Sequence, residues 1–314
     1  MTIRHSVLMF IAVSLLFGCG GINRNPYADT PTTGIISIGV DETFKPITEA
    51  ELMVFGGIYQ YAKITPVYTT EENCVQMLLD DSVRLIITYR PLYENEKVSF
   101  RNRQIIPREL KIATDAIAVI IHPENADTLL SMNELKGILT GEIKQWAQIN
   151  QKSSLGNIDV IFDNKKSSIL QFVLDSICRT SNLSKHSYAL DSTIDVVNYV
   201  ADHRNAIGFI GVSLVSDSDD STQMSFLNRI RVVALSKSDQ PAVENSYKPY
   251  QAYIFQGLYP LTRDVYAINA EPRNGLATGF MSFLASDRGQ RIILKSGIVP
   301  SVAPIRIVNV RENL

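Results

Sequence analysis

Cysteine is scarce in this chain, with three in 314 residues: Cys19, Cys74 and Cys178. That excludes the dense disulfide framework of small secreted domains. Cys74 and Cys178 each fall inside a helix-like segment and read as small buried hydrophobes rather than metal ligands. The four histidines, His5, His122, His186 and His203, share no metal-binding spacing. No Gly-x-Ser-x-Gly elbow, no phosphate loop ending in Gly-Lys-Ser/Thr and no His-Glu-x-x-His is present, so neither an enzyme nor a cofactor is expected. Excess charge is also missing: 30 Lys and Arg against 32 Asp and Glu leave a net charge of −2. Such a chain carries no basic field for nucleic acid, and any anion site must be local. Beyond the N-terminus no apolar run is long enough to span a bilayer.

What is there begins with an export signal. Arg4 and His5 precede an apolar run, Val7 to Phe17, of eleven residues, too short for a stable transmembrane helix. The run ends at Leu16, Phe17, Gly18 and Cys19 and resembles a bacterial lipobox, from which Phe17 departs by its size. Residues 1–18 are therefore expected to be removed, leaving Cys19 as the lipid-bearing N-terminus in the periplasm or cell envelope. Residues 19–33, polar and turn-rich, read as a flexible tether.

The remainder, 45% hydrophobic by whole-chain composition, is long enough for one large or two medium domains. Strand-like runs at 34–40, 64–69 and 83–89 alternate with helical patterns at 47–61 and 71–79, which implies a parallel sheet with helices on its faces. Thr69 and Glu72 stand at capping-box spacing for the second helix. The pattern restarts with a strand at 115–122 and a helix at 133–139 capped by Ser131 and Glu134. It continues through a strand at 158–162, helices at 167–179 and 193–203, and strands at 206–212 and 229–235. Trp146 reads as a packing residue, and Asp217 to Ser221 as a solvated acidic loop. The last segment is a strand at 264–269 and one long helix at 276–295. Pattern alone leaves open how this segment returns to the rest.

Ligands of open α/β sheets bind beyond the carboxyl ends of strands, where loops and helix N-termini converge. Those ends here carry Asp41, Glu42, Thr43 and Phe44; Thr69 and Thr70; Thr88, Tyr89 and Arg90; and the run Asp163, Asn164, Lys165, Lys166, Ser167 and Ser168. Hydroxyls with one arginine and two lysines suit a small oxyanion. Each has a plainer alternative. Thr69, Thr70, Ser167 and Ser168 are also favoured helix caps, Arg90 also suits a surface pair with Glu42 or Glu72, and both lysines suit solvent.

Four stretches, DETFKP (41–46), LKGILTGEIKQW (135–146), AIGFIG (206–211) and YPLTRDV (259–265), resemble the phosphate-binding receptors of ABC importers. The likeness runs over roughly residues 37–308. It implies an α/β type II periplasmic-binding-protein fold of two lobes joined by two hinge strands, with residues 34–114 and 249–314 in the first lobe and 115–248 in the second. Carried over residue by residue, it implies ligand-binding roles for Thr43, Phe44, Thr70, Lys166, Ser167 and Ser168. Arg90 takes the place of the family's first-lobe aspartate, which accepts a hydrogen bond from protonated phosphate, and Phe162 that of a second-lobe arginine. The function this implies is a monomeric, lipid-anchored receptor that delivers phosphate or a related small oxyanion to an ABC permease. The alternative is a sensor or surface-complex subunit that keeps the fold with a diverged anion site.

Overall fold

The computed structural model describes residues 26–179, 183–215 and 228–302. Cys19 and the acidic run 217–221 lie outside the described residues. In the first lobe, β1 (Gly34–Asp41) pairs in parallel with β2 (Ala62–Thr69) and with β3 (Leu85–Thr88). The connecting helices are α1 (Lys45–Ile58) and α2 (Glu71–Leu79), and α3 (Glu94–Asn102) follows β3. Ile38, Val40 and Ile87, wholly buried in the central strands, supply core of the kind worth roughly 1.5–3 kcal/mol per side chain.

One strand carries the chain across. The 14-residue β4 (Arg108–Ile121) pairs over Arg108 to Ala116 with β12 (Thr262–Asn269), and over Ile117 to Ile121 with β8 (Ala206–Gly211). The switch at Ala116 and Ile117 is pinned by Ile117, whose N–H donates to Leu261 O at 3.0 Å and whose carbonyl accepts the Tyr259 hydroxyl at 2.7 Å. The expected strand at 115–122 is only the second half of β4, because the first half is too polar to read as strand. In the second lobe, β8 is flanked in parallel by β6 (Asp159–Phe162), and β6 by β7 (Ser187–Ala189). The strand order of the main sheet is β2-β1-β3-β12-β4-β8-β6-β7. A small second sheet joins β5 (Leu129–Ser131), β10 (Ala234–Ser236) and β11 (Ser246–Tyr247). The expected strand at 229–235 is thus divided, β9 (Arg231–Val232) on β4 and β10 on β5.

Helix α4 (Met132–Thr140) starts on the capping box read from sequence: Glu134 N–H donates to Ser131 Oγ at 3.1 Å and Ser131 N–H to Glu134 Oε2 at 2.7 Å. It ends at Gly141, whose φ of 78° closes the helix in the left-handed region. Trp146 is fully buried and donates its indole N–H to Asn205 O at 2.9 Å. Helix α5 (Ser168–Val173) runs on into a π turn, Leu174–Cys178, and α6 (Thr193–Asp202) packs on β8. Short α7 (Gln251–Phe255) leads back to β12. Cys74 and Cys178 are both buried and free.

Two expectations are corrected. The single helix expected at 276–295 is a pair, α8 (Leu276–Leu284) and α9 (Asp287–Lys295). Ser286 breaks it, donating its hydroxyl to Phe283 O at 2.6 Å and accepting from Gly289 N at 3.3 Å, a local cap that competes with helix continuation. The tether expected to extend to residue 33 is docked over its last part. Asp29 Oδ1 accepts the Leu276 N–H at 2.9 Å, so it caps α8 from outside, and Pro31 O sits where any side chain at Gly279 would stand. Sequence periodicity gave no sign of this, because a cap supplied across more than 240 positions leaves no local pattern.

One core group is costly. Glu51 on α1 is 1% exposed, and among the described residues neither carboxylate oxygen has a hydrogen-bond partner; Thr48 Oγ1, one turn earlier, has none either. Burial pushes Glu51 from 4.5 up to about 9. The folded state therefore holds a proton that the unfolded chain has released across that window, so stability is highest below the unfolded value and falls as pH rises. Glu51→Gln, neutral at every pH, is expected to come close to the parent at pH ~5 and to exceed it by about 3–5 kcal/mol at pH ~8 in denaturant unfolding. Parallel pH profiles for the two proteins would refute this account.

Candidate functional site

Two strand ends meet across the lobes. β1 ends at Asp41, and Oδ1 of that residue accepts the Thr43 N–H at 3.0 Å, folding a tight turn at Glu42–Phe44 from which α1 departs with Pro46 in its first turn. β6 ends at Phe162 and opens into a loop folded on its own side chains. Asn164 Oδ1 accepts the Lys166 N–H at 2.7 Å, and Ser167 Oγ accepts the Leu170 N–H at 3.1 Å. With Ser167 used as the cap, Ser168 is free to face the other lobe.

Ser168, 1% exposed, is the centre of the junction. Its hydroxyl donates to Asp41 Oδ1 at 3.0 Å and accepts from Arg263 Nη1 at 3.0 Å. Because its one proton goes to Asp41, the 3.0 Å contact with Thr43 Oγ1 has threonine as donor. Arg263, on β12, is 3% exposed and also donates Nε–H to Asp115 Oδ2 at 3.0 Å. Its guanidinium carbon lies 4.9 Å from the Phe44 ring centre and 5.6 Å from that of Tyr89. Among the described residues, two atoms of this network are buried and have no hydrogen-bond partner: Asp41 Oδ2, an acceptor, and Arg263 Nη2, a donor. Buried polar atoms of this kind are rare and call for a physical role.

The electrostatics of the junction are those of carboxylates around one cation. Burial pushes Asp41, Asp115 and Asp163 above the usual carboxylate range, and in each the nearby Arg263 charge opposes that rise. Glu71, at the start of α2, is raised to about 7, first by burial, against the pull of Arg90.

The residues singled out from sequence divide into two groups. Thr43, Phe44 and Ser168 are brought together with Arg263. Thr70 and Ser167 serve as N-caps of α2 and α5, Thr70 accepting the Asn73 N–H at 3.4 Å. Lys166 is exposed and lies 3.5 Å from Glu72 of the other lobe. Arg90 pairs with neither Glu42 nor Glu72. It makes a two-pronged contact with Glu96 at 2.9 Å, lies 2.7 Å from Glu71 Oε1, and stacks at 3.6 Å over the Tyr93 ring. Phe162 is a core residue stacked on Phe209 at 4.9 Å.

Sequence reading missed Arg263, although a signal exists. Leu261, Arg263, Val265 and Ala267 share the buried face of one alternating run, and an arginine in that register is a buried charge. Asp115 stands directly opposite on β4, a cross-strand pair visible only once the register is known. Beside Arg263 the lobes also bound an outer cleft of about 490 Å³, lined by Tyr89, Arg90, Tyr93, Phe172, Asp264 and Tyr266 among others. Tyr89 and Phe172 pack edge to face at 6.3 Å in its wall.

Comparison with known proteins places this geometry. Residues 25–288 match the family model described as PBP superfamily domain. The phosphate-binding protein PstS of Staphylococcus aureus is 22% identical over 284 residues, covering 89% of this chain and 82% of that one. Among solved structures, a putative phosphate ABC transporter substrate-binding protein with bound phosphate from Clostridium perfringens superposes with a TM-score of 0.71 at 20% identity, over 85% of this chain and 99% of that one. An ABC-type phosphate transport receptor from Vibrio cholerae superposes with a TM-score of 0.64 at 17% identity, over 85% and 100%. The fold is the type II periplasmic-binding fold, two α/β lobes about hinge strands.

Proposed function

Because this chain belongs to the PBP superfamily, we propose that it is an extracytoplasmic solute-binding protein, tethered through Cys19, that holds phosphate or a related small oxyanion between its lobes. An ABC permease receives the solute. Binding closes the lobes, and the permease reads the closed state, so transport rests on differential affinity and involves no covalent chemistry. The family of the chain and the phosphate-binding relatives support this reading.

The observation that carries it is the complementary pair of unpartnered atoms at the junction, Asp41 Oδ2 and Arg263 Nη2. An oxyanion that retains a proton satisfies both: a P–OH group donates to the carboxylate while a charged oxygen accepts from the guanidinium. Thr43 and Ser168, one from each lobe, hold Asp41 and Arg263 in place through their hydroxyls. Thr70 and Ser167 shape the loops as helix caps, while Lys166 and Arg90 are each paired with carboxylates. Arg90 stands where the family's proton-accepting aspartate is expected, and Asp41 takes over that role from the end of β1.

A fully ionised anion such as sulfate offers Asp41 no proton and meets only repulsion. The protein is therefore expected to bind phosphate at least tenfold tighter than sulfate in calorimetry near pH ~7, and Asp41→Asn to narrow that ratio towards unity. Since burial raises Asp41, the discrimination should also fade as pH falls and the carboxylate takes up a proton. Equal affinity for both anions in the parent, or no heat from either, would sink the assignment. The second reading, a non-transport binding module, is favoured by Phe162 standing in the core and by Arg90 being held between Glu71 and Glu96. Phosphate uptake unaltered by deletion of the gene, with binding intact, would select it.

A further inference from the structure

We infer that the solute is a phosphate monoester, its phosphoryl group at the Asp41–Ser168–Arg263 junction and its uncharged organic group in the outer cleft beside Tyr89, Tyr93 and Phe172. This rests on the oxyanion reading above and specifies its ligand. The junction is closed on itself, with Thr43, Ser168, Asp41 and Arg263 linked through contacts of 3.0 Å, and offers a ligand two atoms left without partners among the described residues, Asp41 Oδ2 and Arg263 Nη2, enough for one phosphoryl group. The outer cleft, about 490 Å³, falls in the range of roughly 300–1,000 Å³ typical of organic ligands, far beyond what a free inorganic anion fills. Arg263 belongs to both: it donates to Ser168 in the junction and lines the cleft. A ligand held by this guanidinium therefore has a route from one to the other.

The chemistry of the walls selects the organic group. Tyr93 is 52% exposed, and the partly buried rings of Tyr89 and Phe172 come from opposite lobes and pack edge to face, so a planar or cyclic group seated in the cleft lies against an aromatic wall built by both lobes. Arg90 does not call for a second anion, because Glu71 and Glu96 already balance it. Asp175 lines the same cleft and disfavours a second phosphate, whereas Asp264 is balanced by Lys111 at 2.6 Å. A diphosphate or a nucleoside triphosphate is thereby disfavoured, and an uncharged ring on a single phosphate is favoured. In its singly protonated form a monoester still offers the proton that Asp41 Oδ2 accepts and the charged oxygen that Arg263 Nη2 meets.

The test is calorimetric titration of the purified protein with phenyl phosphate, inorganic phosphate and phenol. Phenyl phosphate is expected to bind at least tenfold tighter than inorganic phosphate, with phenol alone giving no heat. Phe172→Ala and Tyr93→Ala are each expected to cut affinity for the ester about tenfold while leaving inorganic phosphate within threefold. Two variants guard against a folding defect in either one. Phenyl phosphate binding no tighter than inorganic phosphate, or variants that weaken both ligands equally, would overturn the inference while the oxyanion reading stands. Failure of every phosphate to bind would overturn both.

Discussion

Replacing Arg263 by alanine is expected to weaken oxyanion binding about a hundredfold, the largest effect of any single change at the junction. The reason is burial. At 3% exposure the guanidinium is shielded from water and salt, so its attraction for an anion is not screened as that of an exposed lysine is. Among the described residues it is also the one cation in direct hydrogen-bond contact with the Ser168, Asp41 and Thr43 network. Without it, the ionised forms of Asp41, Asp115 and Asp163 would present only negative charge to the ligand. Arg263→Lys should recover part of the loss, since it restores charge but not the fork that spans Asp115 and Ser168 together. Calorimetry with inorganic phosphate measures both variants, with circular dichroism to verify folding. Affinity within threefold of the parent in Arg263→Ala would remove this residue from the site.

The second large effect concerns stability. Asp115→Ala is expected to cost about 3–5 kcal/mol, because it leaves Arg263 charged, buried and short of its 3.0 Å partner. The position magnifies the loss: Asp115 and Arg263 face each other on β4 and β12, one residue before β4 leaves the first lobe. Removing both partners, as in Asp115→Ala with Arg263→Met, should recover more than half of the cost, since a buried pair is worth far less than the penalty for orphaning one member. Urea unfolding of the two single variants and the double variant gives the coupling directly. A single-variant cost below about 1 kcal/mol would mean that water or another carboxylate already compensates the arginine.

Much of the architecture was legible from sequence because it is written in short range. The alternation of strand and helix, the Ser131–Glu134 capping box and the packing role of Trp146 each depend on residues a few positions apart. So does the placing of Thr43, Phe44 and Ser168, since strand ends and helix starts are local features. Errors arose where distant groups intervene. Ser286 divides a helix whose apolar periodicity runs on without a break, Asp29 caps α8 from the far end of the chain, and the polar first half of β4 becomes strand only because β12 pairs with it.

The amino-acid sequence by itself determined the export signal to be expected, the two-lobed α/β order and the end of the sheet at which a ligand is expected. Which arginine stands at that end was decided by tertiary structure. Arg90, the arginine at a strand end, is engaged by Glu71 and Glu96, while Arg263, inside a strand, is carried into the junction by the register of β12 on β4. What separates the two arginines is the donor left over: Arg263 keeps Nη2 without a hydrogen-bond partner among the described residues although Asp115, 148 positions away in sequence, holds its Nε, and that arrangement depends on long-range pairing.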